Sequence, residues 1–242
     1  MLEDTVVEED IHPEYFSAAL THTGHVRTSN QDAFVDRSDV RLWAVADGMG
    51  GHSDGDVASG MVCQALADLT PAAQLDRTIV EIQRRLSQVN TRLHAAAVRP
   101  VNPVQSGSTV VVFAVQRTAC AVLWAGDSRL YRLRHRQLAQ LTVDHTWAAQ
   151  MLTEDENAED DHSIMRAVGG EDILQLDIRR DRVRLGDRYL LCSDGLTREV
   201  SATQIAALLG TGDVQQAAQA LLDATLAAGA RDNVTIVVIE AS

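Results

Sequence analysis

An α+β layered fold is predicted for this chain on three observations. Apolar runs of strand length cluster between residues 109 and 134, with only short turns between them. Stretches with helical spacing come in pairs, about 56–69 with 76–98 and about 201–209 with 214–227. Strands and helices do not alternate strictly, as they would in a parallel α/β sheet. No Pro/Gly/Ser-rich stretch divides the 242 residues into two cores, so one domain over residues 15–242 is expected, preceded by an acidic tail over 1–14.

The first strands are short: Phe16 to Leu20 and Ala33 to Val35, around a polar connection. Leu42 to Ala46 is a continuous apolar run of strand length, ended by the glycine-rich loop Asp47-Gly48-Met49-Gly50-Gly51-His52. From about Asp56 to Leu69, Val57, Met61, Val62, Ala65, Leu66 and Leu69 recur at helical spacing. A second helix is predicted from about Asp76 to Val98, with Ile79, Ile82, Leu86, Val89, Leu93 and Ala97 as its apolar stripe and Pro100 and Pro103 marking its exit. Thr109 to Val115, Ala119 to Trp124 and Arg129 to Arg134 form a strand meander whose close spacing favours antiparallel pairing. Beyond Asp144 the chain is polar until Gln175 to Ile178, and Gly186-Asp187 turns it into the apolar strand Arg188 to Cys192. Two helices, about Ser201 to Leu209 and Val214 to Ala227, precede the last strand, Asn233 to Glu240.

Composition excludes several functional classes. A formal charge of -13 repels nucleic-acid phosphates. No apolar run approaches the roughly 20 residues of a membrane span, and the acidic start lacks the basic and apolar regions of a secretory signal, so a cytoplasmic protein is expected. Cys63, Cys120 and Cys192 lie far apart inside apolar segments and read as buried thiols. A P-loop lysine, a dinucleotide fingerprint, a Gly-x-Ser-x-Gly elbow and a His-Glu-x-x-His pair are all missing from the sequence.

Four places set an aspartate at the edge of an apolar strand: Asp47, Asp127, Asp194 and Asp232. A single Asp-Gly is ordinarily a turn signal. Recurrence at four strand ends is a different matter, because strands fix where their ends lie and bring remote carboxylates to one point. Four such groups without a cation would repel and raise one another's pKa values, and hard oxygen ligands suit a hard divalent ion. A dinuclear site of this kind binds a phosphate ester and acidifies a water. It also needs a cation for the phosphoryl oxygens and an acid for the leaving group. Arg27, with its bidentate fork, and His52, a few residues past Asp47, are the candidates.

Seven motifs stand in one order. They are Gly24-His25-Val26-Arg27-Thr28-Ser29-Asn30-Gln31-Asp32, Ala46-Asp47-Gly48-Met49-Gly50-Gly51-His52, Ser106-Gly107-Ser108-Thr109, Ala125-Gly126-Asp127-Ser128-Arg129, Leu141-Thr142-Val143-Asp144-His145-Thr146, Cys192-Ser193-Asp194-Gly195-Leu196 and Arg231-Asp232-Asn233-Val234-Thr235. The series resembles the bacterial type 2C metal-dependent protein serine/threonine phosphatases from about residue 17 to 240. The resemblance implies a four-layer αββα fold, two antiparallel sheets packed face to face with helices outside and a metal centre at one end. It implies that Asp47 bridges two Mn2+ or Mg2+ ions, that the Gly48 carbonyl binds one of them, and that Asp194 and Asp232 complete the other shell. Asp127 matches the residue that, with Asp194, holds a third, weaker ion, and Asp32 matches a carboxylate that orients the attacking water. Arg27 matches the phosphate-gripping arginine and His52 the general acid. The activity implied is hydrolysis of phosphoserine and phosphothreonine on proteins by direct attack of a water or hydroxide bound to the dinuclear centre, opposing a serine/threonine kinase, with the type VI secretion pathway as one setting.

The segment at about 145–175 corresponds to the family's flap. Here it carries the acidic run Glu154-Asp155-Glu156-Asn157-Ala158-Glu159-Asp160-Asp161 and Met165-Arg166-Ala167-Val168-Gly169 where the family usually has Thr-Arg-Ala-Leu-Gly. Such a flap favours basic substrate flanks over acidic ones. Two other readings compete. Cys192 and Arg198 have the Cys-x5-Arg spacing of cysteine-dependent phosphatases, although Asp194 would then face a dianionic phosphate. Alternatively the fold is a catalytically inactive binding module, which the full set of motif aspartates speaks against.

Overall fold

The computed structural model describes residues 13–50, 54–101, 103–148 and 163–242. His52, most of the predicted acidic tail and the acidic run at 154–161 lie outside the described residues. The strands are β1 (Tyr15–His22), β2 (Asp32–Arg37), β3 (Leu42–Gly50), β4 (Ser106–Ser108), β5 (Val110–Gln116), β6 (Ala119–Ala125), β7 (Arg129–Arg134), β8 (Gln137–Gln140), β9 (Asp177–Arg182), β10 (Arg188–Cys192) and β11 (Val234–Ala241). The helices are α1 (Asp54–Ala67), α2 (Leu75–Ala97), α3 (Asp194–Thr197), α4 (Ala202–Leu209) and α5 (Val214–Ala228).

Two antiparallel sheets form, in the orders β1-β11-β10-β7-β8 and β2-β3-β5-β6-β9, with β4 pairing β3. Side chains alternate between the two faces of a strand, so β3 shows which face packs where. Leu42, Ala44 and Ala46 join the helices α1 and α2 in one hydrophobic cluster. Trp43 and Val45 join Phe113, Tyr189, Leu191 and Val237 in the cluster between the sheets. A third cluster joins Leu190, Ile236 and Val238 of the other sheet to Ile205, Leu209 and Leu221 of α4 and α5. The layer order is therefore helices, sheet, sheet, helices, and burial of both sheet faces explains the uninterrupted apolar runs of β3, β5 and β6.

The predicted stripe of α2 is buried at Ile79, Ile82, Leu86, Val89 and Leu93. Ser201 with Gln204 and Asp213 with Gln216 close capping boxes that start α4 and α5. One local expectation is corrected: residues 47–50 are not loop, because β3 runs through them and Gly48, Met49 and Gly50 pair with Ser108, Gly107 and Ser106. Asp47 thus lies inside a strand, where ladder bonds hold its backbone. The short polar β4, the strand β8 and the single-turn helix α3 had no apolar signal to announce them.

Candidate metal centre

Strand register brings the predicted acids to one end of the sandwich. Asp47 keeps the parity of Trp43 and Val45 and so faces the space between the sheets, and Asp32 at the start of β2 is its direct cross-strand partner. Asp127 sits in the turn from β6 to β7, Asp194 opens α3 directly after β10, and Asp232 precedes β11. All these positions lie at the same end of the two sheets. The Asp47 backbone is pinned from both sides: its N–H donates to Thr109 Oγ1 at 3.0 Å and its carbonyl accepts from Thr109 N at 2.9 Å and Ser108 Oγ at 3.1 Å.

The two sheets meet through the acids themselves. Asp47 of one sheet and Asp194 beyond the end of a strand of the other lie near enough for each carboxylate to feel the other's charge. Ser193 Oγ donates to Asp32 Oδ2 at 2.8 Å, leaving Asp32 Oδ1 buried without a partner among the described residues. Asp127 Oδ1 and Asp194 Oδ1 are likewise buried and unpartnered among the described residues.

Arg27 stands on the loop between β1 and β2. Its Nε and Nη2 donate to Asp232 Oδ1 and Oδ2 at 2.8 and 2.9 Å. Arg198 reaches Asp194 Oδ2 at 2.5 Å and Asp232 Oδ2 at 3.5 Å. The loop is stapled to the start of β11 by Asn233, whose Nδ2 donates to the carbonyls of Thr23 and Ser29 and whose Oδ1 accepts from Gln31 N. Around these groups lies a cleft of about 710 Å³ lined by Arg27, Asp127, Arg129, Asp194, Arg198 and Asp232. Arg198 and Asn233 were not among the residues predicted for the site. The helical spacing of four between Asp194 and Arg198 is the signal that points to the first.

The electrostatics follow from this crowding. Burial, then the neighbouring carboxylates Asp32, Asp194, Asp127 and Asp232, push Asp47 well above the usual carboxylate range. Burial raises Asp32 to about 7, against the opposing hydrogen bonds from Ser193 and Thr235. Burial, then Asp194 and Asp144, raise Asp127 to about 7. Asp194 is also raised, by burial first, although Arg198 pulls it down.

These residues fit hard divalent cations. The donors are all carboxylate or carbonyl oxygens, three buried carboxylate oxygens lack partners among the described residues, and the accumulated negative charge is what a dication would offset. They do not form a finished cage. Among the described residues no group of three or more acidic, His or Cys side chains is already placed to hold an ion, and Arg27 and Arg198 are paired with oxygens of Asp194 and Asp232.

A pH dependence follows for the metal-free protein. Asp127 binds its proton more tightly when folded, so its contribution to stability is complete below its unfolded pKa of about 4 and lost as pH rises through about 7. With chelator present, the melting temperature of the wild type is expected to fall relative to Asp127→Asn by about 5 °C between pH 5 and 8. Thermal unfolding of both proteins measures it, and added Mn2+ should abolish the difference. Parallel curves in chelator would show that Asp127 is not so crowded.

The Cys-x5-Arg reading is excluded by the same geometry. Cys192 is fully buried in β10 and burial pushes its thiol to about 12, while Arg198 turns to Asp194 and Asp232. Among the described residues no helix is long and apolar enough to cross a membrane.

Comparison with known proteins agrees with the arrangement. The model of the protein phosphatase 2C family matches residues 21–230. The serine/threonine protein phosphatase PstP of Mycobacterium tuberculosis is 34% identical over 92% of this chain, which spans 44% of that relative's length. Among solved structures, PppA, described as a key regulatory component of T6SS in Pseudomonas aeruginosa, is 36% identical with a TM-score of 0.89, covering 96% of this chain and 99% of its own. The catalytic domain of PstP in complex with two manganese ions is 34% identical with a TM-score of 0.85, covering 94% and 98%. With its sandwich, its gathering of strand-end acids and its ordered motifs beside these matches, the chain belongs to the protein phosphatase 2C family.

Proposed function

We propose that this protein hydrolyses phosphoserine and phosphothreonine on proteins, with residues 15–242 as the catalytic unit and the segment at about 145–175 as its flap. The observation that carries the reading is the meeting of Asp32, Asp47, Asp127, Asp194 and Asp232 at one end of the sandwich, under a cleft whose wall holds Arg27. Asp47, the Gly48 carbonyl, Asp194 and Asp232 would hold two Mn2+ or Mg2+ ions, and Asp127 with Asp194 a third. PstP, solved with two manganese ions, supports that count for the main pair. When bound, the ions supply a positive template for the phosphoryl oxygens and lower the pKa of the attacking water.

The chain's own residues do the rest. Arg27 exchanges its Asp232 carboxylate for phosphoryl oxygens, offering the same two-pronged donor to a similar pair of acceptors. Asp32 Oδ1, buried and unpartnered among the described residues, accepts from the attacking water and orients it. The bond from phosphorus to the serine or threonine oxygen breaks as that oxygen takes a proton. His52 is the donor by its place in the motif, five residues after Asp47. No covalent phosphoenzyme forms on Cys192, which is sealed in the core.

PppA's description supports a setting within a type VI secretion pathway, and a serine/threonine kinase acting on the same proteins is the partner this activity would oppose. The test of the activity is turnover of matched phosphoserine, phosphothreonine and phosphotyrosine peptides with and without Mn2+. Expected is metal-dependent hydrolysis of the first two, abolished by chelator and indifferent to a thiol alkylator. A protein that binds the peptides and turns none over would instead be the inactive binding module.

A further inference from the structure

A second depression lies beside the acidic cleft, with a volume of about 660 Å³. Its walls are mainly the segments 143–146 and 164–175, and Asp144 lines both this groove and the acidic cleft, so the two adjoin at that residue. The groove mixes charged side chains, Asp144, Arg166 and Glu171, with a group of exposed aliphatic ones. Val143 is 63% exposed and Ile173 73% exposed, Met165 is also exposed, and all three face it together with Leu174. Exposed aliphatic side chains are ordinary when scattered, whereas a group of them around one concavity marks a binding surface.

The walls are built, not slack. Met165 N donates to the His145 carbonyl at 2.8 Å, and Thr146 pairs with Ile164. Val168 and Ser108 exchange backbone bonds at 2.8 and 3.0 Å, which ties this wall to the strand beside Gly48. Asn90 of α2, buried and polar, spends its whole amide on the far end: Oδ1 accepts from Gly169 N, and Nδ2 donates to the carbonyls of Glu171 and Asp172. Of the two carboxylates lining the groove, Asp144 is held by Arg129, while Glu171 has no ion pair among the described residues.

We propose that this groove holds the polypeptide next to the phosphorylated residue of the substrate and selects an aliphatic side chain there, with a basic neighbour placed against Glu171. The inference rests on the phosphatase reading for the group anchored in the acidic cleft and adds which sequences around it are preferred. A groove that adjoins the acidic cleft at Asp144 is within reach of the same substrate chain, and the exposed aliphatic side chains beside one open carboxylate set the chemistry of the segment it takes.

The test is a set of phosphothreonine peptides carrying leucine, alanine or aspartate at each position from four before to four after the phosphothreonine, read as kcat/KM with Mn2+. Binding of non-hydrolysable phosphonate versions is read by fluorescence anisotropy, and an aryl phosphate is the small substrate that cannot reach the groove. Expected is about a tenfold preference for leucine over alanine, and more over aspartate, at positions on one side of the phosphothreonine. Ile173→Asp and Val143→Asp, changes at exposed positions, should each erase that preference while aryl phosphate turnover stays within about twofold of wild type. Equal rates and affinities for leucine, alanine and aspartate at all positions overturn the inference. So does an equal loss on peptide and aryl phosphate in both variants, which would mean that the groove walls serve the acidic cleft and not the peptide. Leucine-dependent binding without turnover of any substrate would support the groove and remove the phosphatase reading instead.

Discussion

Replacing Asp47 by asparagine is expected to lower turnover of a phosphothreonine peptide by about a thousandfold or more while leaving the fold intact. Loss of an outer partner of a metal ligand already costs about 10–100-fold, and Asp47 is proposed to touch both ions, so its loss must exceed that range. Asparagine keeps the shape and one oxygen but removes the charge that two adjacent dications require. Stability should move the other way. Asp47 is crowded by four other carboxylates and shifted well above its ordinary pKa, so a neutral isostere relieves repulsion in the metal-free protein. Its backbone bonds to Thr109 and Ser108 do not depend on the side-chain charge. In chelator at pH 8 the variant should melt at or above the wild-type temperature and should bind Mn2+ far more weakly by calorimetry. A variant that melts well below wild type in chelator would make Asp47 a structural residue.

Gly48→Ala should do the opposite, damaging the site through the fold. A Cβ at Gly48 would lie 1.9 Å from the Gly55 carbonyl oxygen and 2.7 Å from that of Gln31. Both obstacles are backbone, so neither swings aside. Gly55 belongs to the first turn of α1, and the Gln31 carbonyl accepts the Gly48 N–H at 3.0 Å. Relief requires α1 to lift from β3 or the Gln31 bond to break, and either moves Asp47 with it. A cost of about 3 kcal/mol or more is expected, lowering the melting temperature by roughly 6–12 °C. Mn2+ affinity should fall with it. Gly60→Ala is the matched control: it lies on α1 with nothing within 4 Å of the added Cβ, and it should be neutral or slightly stabilising. Thermal unfolding of the two variants side by side measures the contrast, and equal melting temperatures would mean that the helix does not press on the metal strand.

What the sequence made legible is what periodicity and strand ends encode. The stripe of α2 and the doubly buried strands β3, β5 and β6 could be read because burial on one or both faces leaves a pattern in the residues themselves. Ser106–Ser108 could not, because it is a strand only by pairing with β3, and that pairing turned the expected loop at 47–50 into ladder. Asp177–Arg182 carries charge at most of its positions, as an edge strand tolerates, and so gave only its apolar start. Asp47, Asp127, Asp194 and Asp232 were visible as strand-end aspartates, and Asp32 only through its motif. The bidentate grip of Arg27 on Asp232, the reach of Arg198 to two carboxylates and the bond from Ser193 to Asp32 across the sheets were not, since long-range side-chain pairs have no signature in local sequence.

Acids from remote strands are proposed to gather around a pair of cations, and anomalous diffraction at the manganese edge from crystals grown with Mn2+ tests that arrangement. Two strong peaks sharing Asp47, one also bound by Asp194 and Asp232, with Arg27 withdrawn from Asp232, is the predicted result. Manganese absent from that end of the sandwich at saturating concentration, with Arg27 still clasping Asp232, would contradict it.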